Sequence, residues 1–151
     1  MNSLFNVFVL SMLPLGELRA GIPFGILSGL GILPTFFLAV FANFLVAFIL
    51  FFFLDHLHTT FMKIKIYERL FVSYIGRIQK KHHHLQNHKW PYYALFIFVA
   101  IPFPLTGVYS GTLLSWLFKF NRKHSYFSLG LGVVAAGIIT TLFTVGVRSL
   151  F

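Results

Sequence analysis

Four apolar stretches divide this chain, and only two of them run unbroken for the thickness of a bilayer. Leu33 to Leu54 and Ser125 to Val147 can each cross about 30 Å of hydrocarbon as a helix rising about 1.5 Å per residue. The other two, Leu4 to Leu30 and Tyr92 to Phe118, are cut near their centres, the first at Pro14-Leu15-Gly16 and the second at Pro102-Phe103-Pro104-Leu105-Thr106-Gly107. Each half is then about 18 to 20 Å long and too short to cross. Proline removes a backbone donor and disfavours helix at the residue before it, so Ile101-Pro102-Phe103-Pro104 is expected to be extended. Pro14, Gly16 and Pro23 on one side, with Pro102 and Pro104 on the other, are the expected helix breaks. A pair of re-entrant helical hairpins satisfies this pattern, with breaks that face protein or a wet cavity rather than lipid. Two kinked full-length helices are the alternative.

Composition agrees with a membrane rather than a soluble core. The chain is 151 residues long, 58% hydrophobic and 10% charged, too apolar to hide its side chains at this size. Its net charge of +9 does not point to nucleic acid. Seven of the twelve Lys and Arg lie between Lys63 and Lys89, with three more at Lys119, Arg122 and Lys123, the clustering expected of cytoplasmic loops. Cysteine is absent, which removes disulfides, thiolate metal sites and thiol nucleophiles. Met1 to Leu13 lacks Lys, Arg and a small-residue cleavage pattern, so it does not read as a secretory signal.

Hairpin, span, basic segment, hairpin, span is an internal repeat. Setting Pro14 against Pro104 and Asn43 against Val133 gives one offset of 90 residues, at which Leu15 also meets Leu105. The predicted fold class is therefore an all-α membrane protein: two transmembrane helices and two re-entrant hairpins in inverted repeat, forming one domain over 1–151. Residues 1–55 make the first repeat, 56–91 a cytoplasmic linker and 92–151 the second repeat. With 56–91 and the turn 119–124 cytoplasmic, both termini are expected outside. Broken helices that meet near the midplane are the plan of many transporters. Within the linker, Ile64, Tyr67, Phe71, Tyr74, Ile75 and Ile78 recur at helical spacing among Lys63, Glu68, Arg69, Arg77 and Lys80. This predicts an amphipathic helix over 59–81, lying on anionic headgroups or serving as a solvated linker.

Glu17 and Arg19 are the costly residues. Ionisable groups at membrane depth cost about 2.5 to 3.5 kcal/mol each on insertion scales, which makes them a site hypothesis. Residues two apart do not share a helix face, so the two are not expected to pair with each other. Arg19 then suits an anion with its planar fork, and Glu17, in the first turn of a helix, is a candidate proton carrier. The competing reading is a buried structural pair that joins the hairpins through backbone contacts. Thr106, Gly107, Tyr109 and Ser110 offer hydroxyls and amides at the second break, either for an anion or for backbone groups freed by the prolines. Asn43, at the middle of the first span, is expected to bond across helices, with substrate contact as the alternative. His82, His83, His84 and His88 lack carboxylate or thiol partners and read as a solvated loop, so no metal and no cofactor is expected. No nucleophile and base combine into a hydrolase motif, and no nucleotide loop is present, so an enzyme is not expected.

The run Leu13-Pro14-Leu15-Gly16-Glu17-Leu18-Arg19-Ala20-Gly21-Ile22-Pro23, then Ala42-Asn43-Phe44, then Phe98 to Gly111 with its Pro102-Phe103-Pro104-Leu105-Thr106-Gly107 core resembles the prokaryotic "small multi-drug export" family of small membrane proteins. The resemblance covers nearly the whole chain in the same order. Family members usually carry Pro-Gly-Thr-Gly where this chain has Pro104-Leu105-Thr106-Gly107, and Gly-Asn where it has Ala42-Asn43. In architecture the chain is also similar, more distantly, to the DedA or SNARE-associated superfamily, some of whose members move lipid carriers across the membrane coupled to protons. The resemblance implies a transporter in a prokaryotic plasma membrane. The combined expectation is proton-coupled secondary transport of a small or lipid-linked anionic solute by a homodimer. A membrane enzyme on lipid headgroups and a structural or insertion-aiding protein are the alternatives.

Overall fold

The computed structural model describes residues 3–14, 16–61, 89–102 and 106–150. Those residues form six α-helices and no strand: α1 (Ser3–Met12), α2 (Glu17–Leu27), α3 (Ile32–Phe61), α4 (Trp90–Ala100), α5 (Val108–Leu117) and α6 (Arg122–Leu150). The expected linker helix and the tract His82 to His84 with His88 lie outside the described residues, except that 59–61 continue α3.

Two helices are long and apolar enough to cross a membrane, Ile32–His56 within α3 and all of α6. The remaining four have ten or eleven residues each, about 15 to 17 Å, half of a hydrocarbon core. The two broken stretches are thus pairs of separate short helices, not kinked long ones. α2 folds back along α1: a Cβ placed on Gly16 would meet Leu10 and Leu13, one on Gly21 would meet Ser11 and Val7, and one on Gly25 would meet Val7. Gly111 of α5 lies likewise against Val99 and Leu95 of α4.

Pro23 corrects one expectation. It lies inside α2 rather than at a break. A proline within a helix frees only the carbonyl four residues back, and a helix held by neighbours tolerates that loss. α2 is flanked by α1, α3 and α6, and they keep it helical. Pro14 and Pro102 do stand at helix ends, and Ile101, before Pro102, is extended with φ −73° and ψ 119°, as the residue before a proline should be.

The backbone itself recurs 90 residues on. Helix α2 ends with Ser28, Gly29 and Leu30 donating to Phe24, Ile26 and Gly25 at 2.9, 3.2 and 3.0 Å; α5 ends with Phe118, Lys119 and Phe120 donating to Leu114, Trp116 and Ser115 at 2.9, 3.1 and 3.0 Å. Both are Schellman closures, which place one residue in the left-handed region: Gly29 has φ 83° and Lys119 φ 53°. The long helices then start at Ile32 and Arg122, again in register. Even the side-chain contacts repeat, since Gly25 abuts Thr35 where Ser115 donates to Ser125 at 2.6 Å.

The contacts fix which end is which. The start of α3 lies beside the end of α2 through Gly25 and Thr35, and the end of α6 reaches the same place, where Arg148 donates to the Ile26 carbonyl at 3.3 Å. At the far end of α3, Asp55 accepts from Trp116 at 2.9 Å and pairs with Arg122, beside the α5–α6 turn. The turns 28–31 and 118–121 therefore sit at opposite ends of an antiparallel α3/α6 pair, and the two breaks meet between them. Small residues allow this crossing, as in membrane bundles: Ala39, Ala42, Ala47 and Ala136 are buried, and Gly132 lies on Val99. Outward, Phe37, Phe41, Phe52, Phe127, Leu142 and Phe143 are more than 60% exposed, an apolar surface far beyond what a soluble monomer shows.

Candidate functional site where the two breaks cross

Ending a helix in an apolar surrounding leaves carbonyls and amides without partners, and each must find one. At the first break the carbonyls of residues 10–13 are met from three elements. Leu10 accepts from the Leu13 amide at 3.3 Å, and Leu13 from Gly16 and Glu17 at 3.2 and 2.9 Å. The Ser11 carbonyl accepts from Asn43 Nδ2 at 2.7 Å, and the Met12 carbonyl from the Tyr109 hydroxyl. Asn43 thus bonds across helices, as expected of it.

The second break is satisfied from the first. Arg19 Nη2 donates to the Ile101 carbonyl at 3.3 Å, the Thr106 carbonyl at 3.0 Å and Thr106 Oγ1 at 3.3 Å. Thr106 Oγ1 also donates to Ile101 at 2.8 Å. The Glu17 carboxylate accepts from the backbone amides of Val108 and Tyr109. It caps α5 from another element, because α5 has no side-chain cap of its own and its N-cap residue is Gly107. A carboxylate there meets both free amides and the positive end of the helix dipole. Gly107 is required by this approach: a Cβ at that position would overlap the carboxylate.

The two breaks therefore bond reciprocally. Arg19 and Tyr109, which are 90 residues apart, each donate to the last carbonyls of the opposite hairpin's first helix. One difference stands out. Ser11 and Asn43 correspond at the same offset to Ile101 and Val133. Valine has no donor, so the Ile101 carbonyl takes Arg19 and Thr106 instead. The asymmetric Arg19 contact replaces the missing asparagine.

Glu17, Arg19 and Asn43, with Val99, Val108 and Val133, line a cavity of about 10 Å³, the room of one water. Asn43 is 1% exposed, and its Oδ1 has no hydrogen-bond partner among the described residues. Glu17 is 8% exposed and has φ 48°, in the sparsely populated left-handed region that costs a non-glycine residue about 1 to 3 kcal/mol and concentrates at functional sites.

Of the residues singled out in the sequence, Glu17, Arg19, Asn43, Thr106, Gly107 and Tyr109 come together here. Ser110 lies half-buried on α5, and Pro14, Gly16 and Pro102 bound the junction. Pro104 lies outside the described residues. The side chains act on backbone, which fits the reading of Glu17 and Arg19 as a pair joining the hairpins. Sequence reasoning overlooked the cluster at the far end of α3, where Asp55 holds Arg122 and Trp116 and the Arg122 guanidinium lies 4.2 Å from the Phe51 ring centroid. An acid at the end of an apolar span, one of only three in the chain, was the available signal. Among the described residues no group of His, Asp and Glu is arranged to hold a metal.

Two apolar long helices, a lipid-like exterior and interlocked short helices at the centre define a small all-helical membrane protein. The profile of the family described as "Putative small multi-drug export protein" matches residues 17–139, from Glu17 just after the first break, across the second break and through most of α6, and the chain belongs to that family. No curated protein and no solved structure matches it.

Proposed function

We propose that this chain is a secondary transporter in a prokaryotic plasma membrane, built as an inverted repeat whose re-entrant hairpins interlock at the midplane, and that it exports a small or lipid-linked anionic solute in exchange for protons. The observation that carries the reading is the placement of an acid and an arginine from one break on both sides of the other. In transporters of this plan, substrate and coupling ion meet at broken-helix termini. Supporting the repeat are the 90-residue recurrence of backbone closures and the turns at opposite ends of α3 and α6.

The cavity at the crossing has room for about one water and for no solute, so passage requires the hairpins to part. Glu17 is the natural trigger. As a carboxylate it accepts two amides at the head of α5; a proton removes the charge that complements the helix dipole and turns one oxygen into a donor facing donors. Release of α5 uncovers the Thr106 to Tyr109 amides, and Arg19, loosened from the Ile101 and Thr106 carbonyls, is then able to hold an anion bidentately. One copy encloses little space, so a homodimer completes the pathway. The family description names export, and the kinship with DedA-type hairpin transporters is part of this proposal.

A second reading has its own observation. Both ionised side chains bond to backbone groups, as a purely structural or insertion-aiding protein would require. Flux in proteoliposomes of the parent, Glu17→Gln and Arg19→Ala, across lipid phosphates and cationic drugs, separates the two. Transport predicts flux in the parent, loss of proton dependence in Glu17→Gln and loss of anion flux in Arg19→Ala. Equal flux in all three, with folding intact, would sink the mechanism.

A further inference from the structure

A second concavity lies away from the crossing, at the open end of the second hairpin. Between the first half of α4 and the last half of α5 is a crevice of about 390 Å³, bounded by Trp90, Leu95, Phe98, Leu114, Phe118 and Phe120 and walled almost wholly by carbon. Its volume is in the range of ligand sites, roughly 300 to 1,000 Å³. It is built rather than accidental. Tyr92 rests against the Phe120 ring, 5.5 Å between centroids, and its hydroxyl accepts from the Asn121 amide at 3.1 Å, which holds α4 to the α5–α6 turn and props one side of the opening.

Two positions of the lining are larger in the first hairpin. At the equivalent positions of the first hairpin, Ala94 becomes Leu4 and Leu114 becomes Phe24. The second hairpin has the smaller residue at both, and its Ser115, where the first has Gly25, is held by Ser125. The arms touch at Gly111.

Lysines adjoin the lining residues along the chain. Lys89 precedes Trp90, Lys119 separates Phe118 from Phe120, and Lys123 follows in the first turn of α6; all three are exposed. A site with a hydrocarbon interior and a cationic rim complements one kind of molecule, a hydrocarbon chain that carries an anionic head. We propose that this crevice holds an acyl chain of an anionic phospholipid, with Lys89, Lys119 and Lys123 on its phosphate. The apolar lining selects for a chain that brings no hydrogen-bonding group, and the lysines select the headgroup by charge. The site is separate from the Glu17 crossing and does not depend on its role in transport.

The test is photolabelling of the full chain in phosphatidylcholine vesicles containing about one per cent of a phospholipid with a diazirine near the acyl end, either phosphatidylglycerol or phosphatidylcholine. The expected result is label on peptides containing Phe98 and Leu114, several-fold more from the anionic probe. Phe143, which is 74% exposed, serves as the internal reference and takes both probes equally. Ala94→Trp should abolish crevice label while leaving the label at Phe143. Leu114→Phe, which restores the residue of the first hairpin, should reduce it in the same way if the bulkier substitution misfolds. The triple variant Lys89→Ser, Lys119→Ser, Lys123→Ser should bring the two probes close to parity, since it removes the cationic groups that favour the charged headgroup. Equal crevice labelling by both probes in the parent, or unchanged labelling after the crevice is filled, overturns the proposal.

Discussion

Glu17 carries two costs at once, a buried carboxylate and a left-handed backbone, and both are offset by what it caps. Its φ of 48° would suit glycine better, by about 1 to 2 kcal/mol, yet glycine has nothing to offer the Val108 and Tyr109 amides. This separates backbone from side chain by experiment. Glu17→Gly and Glu17→Ala both lose the cap, but only the alanine keeps the strain, so the glycine variant should unfold about 1 kcal/mol later in detergent-solubilised denaturant titrations. An alanine at least as stable as the glycine would show that the backbone there is not strained. Gly107 gives the complementary case. Gly107→Ala drives a methyl into the Glu17 carboxylate and should cost about 1 to 3 kcal/mol, and most of that cost should vanish in a Glu17→Gly background, because the clash partner is gone. Additive losses would place the strain elsewhere.

Between elements, the informative pair is Asn43 and Val133. The first donates to the Ser11 carbonyl at 2.7 Å; the second stands at the matching position and cannot donate, which leaves the Ile101 carbonyl to Arg19 and Thr106. Removing Arg19 by Arg19→Leu should therefore destabilise by about 1 to 3 kcal/mol through unsatisfied backbone. Val133→Asn should recover about 0.6 kcal/mol of it, the average worth of an interhelical hydrogen bond in a membrane bundle. No coupling in that double-mutant cycle would remove the equivalence of the two positions. The same pair explains what the sequence could disclose. Prolines end helices through their own covalent geometry, so Pro14 and Pro102 were visible as breaks, and the offset of 90 was visible in Pro14 and Pro104. Pro23 misled because its effect depends on neighbours that hold α2 in place. The particular partners of Arg19, Tyr109 and Asn43 were hidden for another reason: they are carbonyls, which every residue has, and no side-chain pattern announces which one is met. The spacing of Glu17 and Arg19 put them on different helix faces and left backbone contacts in the opposite hairpin as one of two readings, without saying which carbonyls or amides each would meet.

For the molecule as a whole, the proposed inverted repeat turns on which compartment each of the two turns faces. α3 runs from the turn at 28–31 to the Asp55 cluster, α6 runs back from Arg122 to Arg148, and the described part of α3 is about 45 Å long at 1.5 Å per residue, enough to cross a bilayer. If α3 and α6 span the membrane, the two turns must face opposite compartments, and the basic one, with Lys119, Arg122 and Lys123, belongs in the cytoplasm. The chain has no cysteine, so a single introduced thiol reports without background. Ser28 and Lys123 are exposed at the two turns. In intact cells, a membrane-impermeant maleimide should label Ser28→Cys and leave Lys123→Cys untouched until the membrane is opened; in inverted vesicles the order should reverse. Labelling of both from one side would mean that α3 and α6 do not both cross, and the midplane position of the Glu17 crossing would fall with it. Labelling in the opposite sense would keep the proposed inverted repeat and turn the molecule over. The acyl-chain crevice would then open to the outer leaflet, and the proton that reaches Glu17 through the second hairpin would have to come from outside.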